Sequence, residues 1–426
     1  MKRRGFLSTG GTLAAGGVLA RISSAQEEVV DEIRLALVGC GKQGRVLLNA
    51  CSGIPSITFT AVCDIQPTAR RAASVYLEDA DQEVRTYADL SEMIASEGDR
   101  VDAVLIATPD FVHADQAVAA FRVGWHVYCE APMATTSGSA RRMLAAAKES
   151  GRILQIGYER RSDPRYRHAS QMFASSQDIF IGRLTHFRTQ SYRRVHPEPV
   201  WSEREELSPQ ILEKHGFASM KEYRGWKHYR AYGCGQCFLN IAQQLDGMEW
   251  FFGASPERIL ANGGQDYHTY GDCVDNISSL MTYSLPQGIV RGDSVVWTTT
   301  SGGGLPPSEH FYGENGSVTL SLNAGEVKIY AEPGLADWSE LVRRGWLRKA
   351  DESAPDEDPN LIRVRETGNV VTYLFPMERT ESVTRLHLNN FVRACAGLES
   401  LNCTGEDAFQ SHETAWKILD VIENDR

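Results

Sequence analysis

The sequence predicts an α/β domain with a doubly wound parallel sheet, followed by an α+β domain built on a large, mostly antiparallel sheet. Three observations carry this. From Ile33 to about residue 157, short apolar runs alternate with helical stretches, the pattern of parallel strands covered on both faces by crossover helices. Beyond about residue 160, runs of alternating polarity follow one another through short, turn-like links, as half-exposed antiparallel strands do. The third is length: 426 residues exceed the roughly 250–300 at which a single core stops growing, so two domains are expected.

In the first half, Ile33–Val38 reads as a buried strand with a helix running on to about Ala50, and Ile57–Cys63 as the next, its helix starting near Pro67. Val101–Ile106 is followed by a helix from Val112 to Val123, and the helix Ser139–Ser150 separates His126–Cys129 from Ile153–Ile156. In the second half the expected strands are Gly182–Tyr192, Arg258–Ala261, Asn276–Tyr283, Gly288–Trp297, Ser317–Leu322 and Glu326–Tyr330. Asn315-Gly316 is a strong hairpin signal. Residues 350–360, rich in Asp, Glu and Pro, read as a solvated loop, and Thr384–Ala396 and Glu406–Glu423 as closing helices. The expected domains are 32–157 and 158–426.

Residues 1–25 stand apart. Arg3-Arg4-Gly5-Phe6-Leu7, a mild apolar stretch from Gly10 to Ala20, and Ser23-Ser24-Ala25 follow in the order of a signal peptide. The paired arginines resemble the twin-arginine signal, whose pathway moves folded proteins, so export to the periplasm or beyond is expected. The apolar stretch is too short to span a bilayer, and no later one approaches a membrane helix. Removing residues 1–25 takes away four basic residues and no acid, moving the net charge from −11 to −15. That surface repels phosphate backbones, which argues against nucleic acid as a partner. Nine cysteines, several of them at strand ends, behave as small hydrophobes rather than a disulfide framework.

Val38-Gly39-Cys40-Gly41-Lys42-Gln43-Gly44 is a G-x-G-x-x-G directly after the first strand and opening a helix, the dinucleotide-binding fingerprint of a Rossmann domain. Gly39 permits the tight turn, Gly41 lets the backbone approach a pyrophosphate, and Gly44 lets helix and strand pack closely. Asp64 closes the second strand 20 residues beyond Gly44, where its carboxylate can accept from ribose hydroxyls and repel a 2′-phosphate. NAD is therefore expected over NADP; the competing role for Asp64 is a helix cap before Pro67. Thr108, Pro109 and Glu130 end later strands at the same sheet edge, and His113, at a helix start beside it, is either a cofactor contact or a helix-terminus histidine. Lys42 and Gln43, inside the glycine turn, complete the expected cofactor set.

These residues resemble the glucose–fructose oxidoreductase, inositol dehydrogenase and rhizopine catabolism (Gfo/Idh/MocA) family. The resemblance runs from the glycine turn through Ala107-Thr-Pro-Asp-Phe-Val-His113, Glu130-Ala-Pro132 and Gln155-Ile-Gly157. It continues through Ile181-Gly-Arg183, the Trp226–Asp246 block, Gly263-Gly-Gln-Asp-Tyr267 and Leu401-Asn-Cys403. It implies oxidation or reduction of a sugar or polyol carbon beside a nicotinamide cofactor, and a homo-oligomer assembled through the C-terminal sheet.

Two departures bear on the chemistry. Where the family's Glu-Lys-Pro puts a lysine beside the reacting hydroxyl, this chain has Ala131. Where the family has Asp-x-Gly-x-His-x-x-Asp, Leu239 and Gln243 replace the first acid and the histidine, and only Asp246 remains. Neither Ala131 nor Gln243 can take a proton, which leaves two readings. One is an oxidoreductase, or a redox-assisted glycoside-processing enzyme, with an unusual acid–base set. The other is a catalytically silent protein that binds NAD and sugar and serves as a binding or assembly partner. Glu130, His228, Tyr267 and His268 are the substitute acid–base candidates. Arg160, Arg161, the block Trp226–Arg230, Gln243 and Asp246 are candidates for the sugar site. Cys234-Gly-Gln-Cys237 could pair locally, but lacks the two further ligands a metal site needs, so no metal is expected.

Overall fold

The computed structural model describes residues 32–299, 306–323, 327–332, 334, 337–350 and 371–424. The expected leader (1–25) and the acidic loop at 350–360, apart from residue 350, lie outside the described residues.

The first half runs β1 (Ile33–Val38), α1 (Lys42–Cys51), β2 (Ile57–Cys63), α2 (Pro67–Glu78), β3 (Arg85–Tyr87), α3 (Leu90–Glu97), β4 (Ala103–Ile106), α4 (Asp110–Arg122), β5 (His126–Cys129), α5 (Ser137–Ser150) and β6 (Leu154–Ile156). The six strands are parallel in the order β3-β2-β1-β4-β5-β6, which reverses direction between β1 and β4. Leu35, Ala36, Leu37, Val104 and Leu105 are fully buried, as continuous apolar strands between two helical layers must be. Local signals bound the helices. The Thr136 hydroxyl caps α5 by accepting from Ser139 N–H, and Gly151 ends it in the left-handed region at φ 66°.

The second half adds α6 (Pro164–Phe180), β7 (Leu184–Arg194), α7 (Pro209–Lys214), α8 (Met220–Gly225), α9 (Gln236–Phe252), β8 (Arg258–Gly264), β9 (Asn276–Leu285), β10 (Gly288–Thr299), β11 (Ser308–Gly313), β12 (Gly316–Leu320), β13 (Lys328–Ala331), α10 (Ser339–Arg343), β14 (Arg348–Lys349), β15 (Val371–Leu374), α11 (Val383–Cys395) and α12 (Gly405–Asn424). Its nine-stranded sheet has the order β14-β15-β13-β12-β11-β7-β10-β9-β8. Every neighbouring pair is antiparallel except β7 with β10. The Asn315-Gly316 signal falls at the β11–β12 hairpin.

The division of the chain in space is not quite that in sequence. Leu388, Phe391 and Val392 of α11 belong to the same buried cluster as Leu35, Leu47 and Phe59, so this late helix covers one face of the first sheet. α9 and α12 pack on the second sheet, with Phe238, Ile241 and Ile418 fully buried.

Candidate active site

The turn after β1 is built for close approach of a ligand. At Gly39, with φ 93°, a Cβ would lie 2.5 Å from the Ala107 carbonyl oxygen, and at Gly44 a Cβ would lie 1.9 Å from the Gly39 carbonyl oxygen. These two glycines hold α1 against its strands. Gly41 differs: a Cβ there would meet nothing within 4 Å, so its backbone faces open space at the N-terminus of α1. No acidic side chain occupies that first turn, and its free N–H groups favour an anion.

Asp64 is fixed beside the turn. One carboxylate oxygen accepts from Cys40 N–H and the other from Gln66 N–H, each at 2.7 Å. Burial pushes its pKa up, against the pull of these two donors. The N-cap of α2 is Gln66, not Asp64, so the carboxylate remains available to a ribose. Space at Gly41 and an acceptor at Asp64 fit the pyrophosphate and adenosine ribose of NAD.

Both face a cavity of about 1190 Å³ at the carboxyl ends of β1, β2, β4 and β5, outside the point where the sheet order reverses. Gly39, Gly41, Lys42, Gln43, Asp64, Thr108, Pro109, His113 and Glu130 line it; Gly44 instead packs α1. His113 ties two of its loops together, with Nδ1 2.9 Å from the Pro132 carbonyl and Nε2 2.8 Å from that of Thr108, and burial lowers its pKa. Asp110 accepts from Cys234 N–H at 3.2 Å, and Phe111 N–H donates to the Tyr232 carbonyl at 3.2 Å. α4 is thereby joined to the loop before α9, and the second half closes the cavity.

That closing wall carries Arg193, His196, Trp226, Lys227, Leu239 and Gln243. Ala131, Leu239 and Gln243 therefore share one cavity with Glu130. Its Oε1 accepts from Gln43 Nε2 at 3.0 Å. Burial, with the charge of Glu159 added, pushes Glu130 up to about 8, and burial raises Glu159 as well. Lys227 is moved the other way, lowered by burial and by the charges of Arg193 and Lys42. Glu159, Arg193 and His196 were not legible as site residues because each reaches the cavity from a different element. In sequence Lys227 stands out only within the Trp226–Arg230 block.

Several expected site residues, Arg160 among them, are not at this cavity. Arg161 and Asp246 form a buried ion pair at 2.9 Å, with Asp407 at 3.4 Å on the other guanidinium nitrogen. The pair neutralises itself beside α9, which carries Asp246, and neither residue lines the cavity. His228 is buried against His268 and Tyr270, with centroids 4.6 and 4.8 Å away. Burial, His268 and Lys227 push its pKa down to about 3. Tyr267 is 45% exposed on a turn whose N–H bonds Asp275 at 2.7 Å. Neither His228 nor Tyr267 lines the cavity, and His268 does not either. Cys234 and Cys237 are buried free thiols that flank the lining residues Gly235 and Gln236 without lining the cavity themselves. Among the described residues no group of three or more His, Cys, Asp or Glu could hold a metal ion, and no helix is long and apolar enough to cross a membrane.

Residues 33–158 match the GFO_IDH_MocA family, described as an oxidoreductase family with an NAD-binding Rossmann fold. The chain is 26% identical over 321 residues to an inositol 2-dehydrogenase of Rubrobacter xylanophilus, covering 75% of this chain and 79% of that protein. It is 32% identical over 136 residues to the 4-carboxy-2-hydroxymuconate-6-semialdehyde dehydrogenase of a Sphingobium species, 32% of this chain and 41% of that protein. The chain thus spans about two fifths of the length of that relative. In fold it resembles the aldose-aldose oxidoreductase of Caulobacter crescentus, crystallised with glycerol, with a TM-score of 0.68 and 17% identity over 93% of this chain and 98% of that one.

Proposed function

Since the chain belongs to the Gfo/Idh/MocA oxidoreductase family, we propose that it oxidises or reduces a carbon of a sugar or polyol with NAD, and that Glu130 and Glu159 take over proton transfer. The observation that carries this reading is the shared cavity: a cradle for NAD and an elevated carboxyl pair open onto the same space as Ala131 and Gln243.

NAD, when bound, supplies the hydride acceptor. Oxidising an alcohol also needs a base for the hydroxyl proton, a contribution of typically about 10²–10⁴-fold. A carboxyl held near neutrality can fill that role in its ionised form and return the proton in the reverse direction. Glu130 is held in place by Gln43, and the charge of Glu159 helps keep its pKa raised. The Gln243 amide faces the cavity as a hydrogen-bonding group for a hydroxyl, and Trp226 offers an aromatic face to a sugar ring. A glycoside could be processed by the same redox step at a carbon of its ring.

The rest of the proposal concerns setting. The arginine pair and small-residue site before Gln26 support export through the twin-arginine pathway after the cofactor has been collected. Leu260, Leu280, Ile289 and Trp297, all exposed on β8 to β10, support assembly of two copies through the second sheet. Light scattering that returned a monomer would contradict that assembly.

A second reading, a silent protein that binds NAD and sugar, is favoured by the loss of both family proton-transfer residues at 131 and 243. One experiment separates the two: NADH formation by wild type and Glu130→Gln across a panel of aldoses, polyols and sugar acids. The proposal predicts turnover of at least one compound and a loss of about 100-fold or more in kcat at saturating NAD in the variant. Binding without turnover in the wild type would favour the silent protein.

A further inference from the structure

On the wall of the cavity made by the second half, two cations, Arg193 and Lys227, have no carboxylate partner among the described residues. Arg193 ends β7 and donates through Nη2 to Asn240 Oδ1 at 2.6 Å, while its Nε is buried without a partner. Lys227 is half-buried and makes no hydrogen bond or ion pair among the described residues. His196 stands exposed at the same cavity. Arg193 and Lys42 are the cations acting on Lys227, and Arg160 is the one acting on Arg193; no carboxylate acts on either.

The fold treats its other deep arginines differently. Arg160 meets Glu309 at 3.1 Å, Arg161 meets Asp246 at 2.9 Å and Arg165 meets Asp163 at 2.7 Å. Burying like charges without a partner is unfavourable, and a ligand anion would relieve it. The cofactor's pyrophosphate accounts for Lys42, which sits in the glycine turn. It does not account for Arg193, which Asn240 anchors to α9, the helix that carries Leu239 and Gln243 to the cavity.

We propose that the substrate of this site is an anionic sugar, whose carboxylate or phosphate is held by Arg193 and Lys227 with His196 at the mouth. The proposal rests on reading the cavity as a sugar oxidoreductase site. An arginine fork suits a carboxylate or phosphate, which it can bind through two parallel hydrogen bonds.

The test is calorimetric binding to NAD-loaded protein, using D-glucuronate, D-gluconate and glucose 6-phosphate against glucose and myo-inositol. At least one acid should bind about 10-fold or more tighter than the neutral compounds, the size expected of hydrogen bonds to a charged group. Arg193→Gln and Lys227→Met should each remove about 10-fold or more of that affinity, Arg193→Lys should keep part of it, and NAD affinity should stay within about 3-fold. Thermal melts would confirm that the variants fold. The ranking of carboxylates against the phosphate ester identifies which anion the site takes. Equal binding of acids and neutral sugars would overturn the proposal. So would an equal loss of NAD affinity in the variants, which would assign these cations to the cofactor. Acid binding without NADH formation would uphold it while refuting the oxidoreductase reading; turnover of a neutral polyol without preference for acids would do the reverse.

Discussion

Gly41 and Gly44 lie three residues apart in one turn and should fail in opposite ways when given a side chain. At Gly41 an added Cβ meets nothing within 4 Å and φ is −67°, a value any L residue adopts. Gly41→Val should therefore fold, losing at most about 1 kcal/mol for a poorer N-cap. Its isopropyl group would fill the space assigned to the pyrophosphate. Hydrogen bonds to a charged group are worth about 1.5–3 kcal/mol each, so forfeiting two costs roughly 3–6 kcal/mol, or more than about 100-fold in NAD affinity. At Gly44 the Cβ would sit 1.9 Å from a backbone oxygen, so α1 must move away from β1. Gly44→Ala should cost about 1–3 kcal/mol or more in stability. Chemical denaturation and NAD calorimetry on the two variants separate the effects. Normal NAD binding by folded Gly41→Val would refute the cradle, and equal destabilisation of both would show the space at Gly41 to be structural.

Other outcomes follow from the same geometry. NAD should bind stripped protein at least about 10-fold tighter than NADP, given one repelling carboxylate at Asp64, and Asp64→Ser should narrow the gap; equal binding in the wild type would remove Asp64 from the ribose site. Ala131→Lys with Gln243→His should raise dehydrogenase activity on some sugar or polyol by about 10-fold or more, limited by Leu239, which cannot orient the histidine; a loss of strong wild-type activity would mean those positions already serve another chemistry. Arg3→Lys with Arg4→Lys should keep the protein in the cytoplasm, and undiminished export on cell fractionation would contradict the twin-arginine assignment.

What could be read in advance was local. The glycine turn, Asp64, Thr108 and Glu130 each follow a strand of one parallel sheet, so the strand ends alone place them at one edge. Arg193, His196 and Lys227 meet Ala131 and Gln243 only after the second half closes over the first. No periodicity reports such a meeting. Asp246 sits away from the cavity because a buried arginine pairs with it, which the end of a family motif does not signal. Helix α11 shows an apolar stripe in sequence, but a stripe does not say which sheet it covers. β3, with three residues and two of them exposed, has too little apolar pattern to signal a strand.

Proton transfer by the carboxyl pair should be visible in the pH dependence of kcat/KM for sugar oxidation. Glu130 must be ionised to accept a proton, and burial and Glu159 raise its pKa. The rate should therefore climb with pH through the neutral range and level off above about 8. In Glu159→Gln the repelling charge is gone, so the climb should move to lower pH while the plateau changes less. A profile flat from pH 5 to 9, or one that Glu159→Gln leaves in place, would contradict the account.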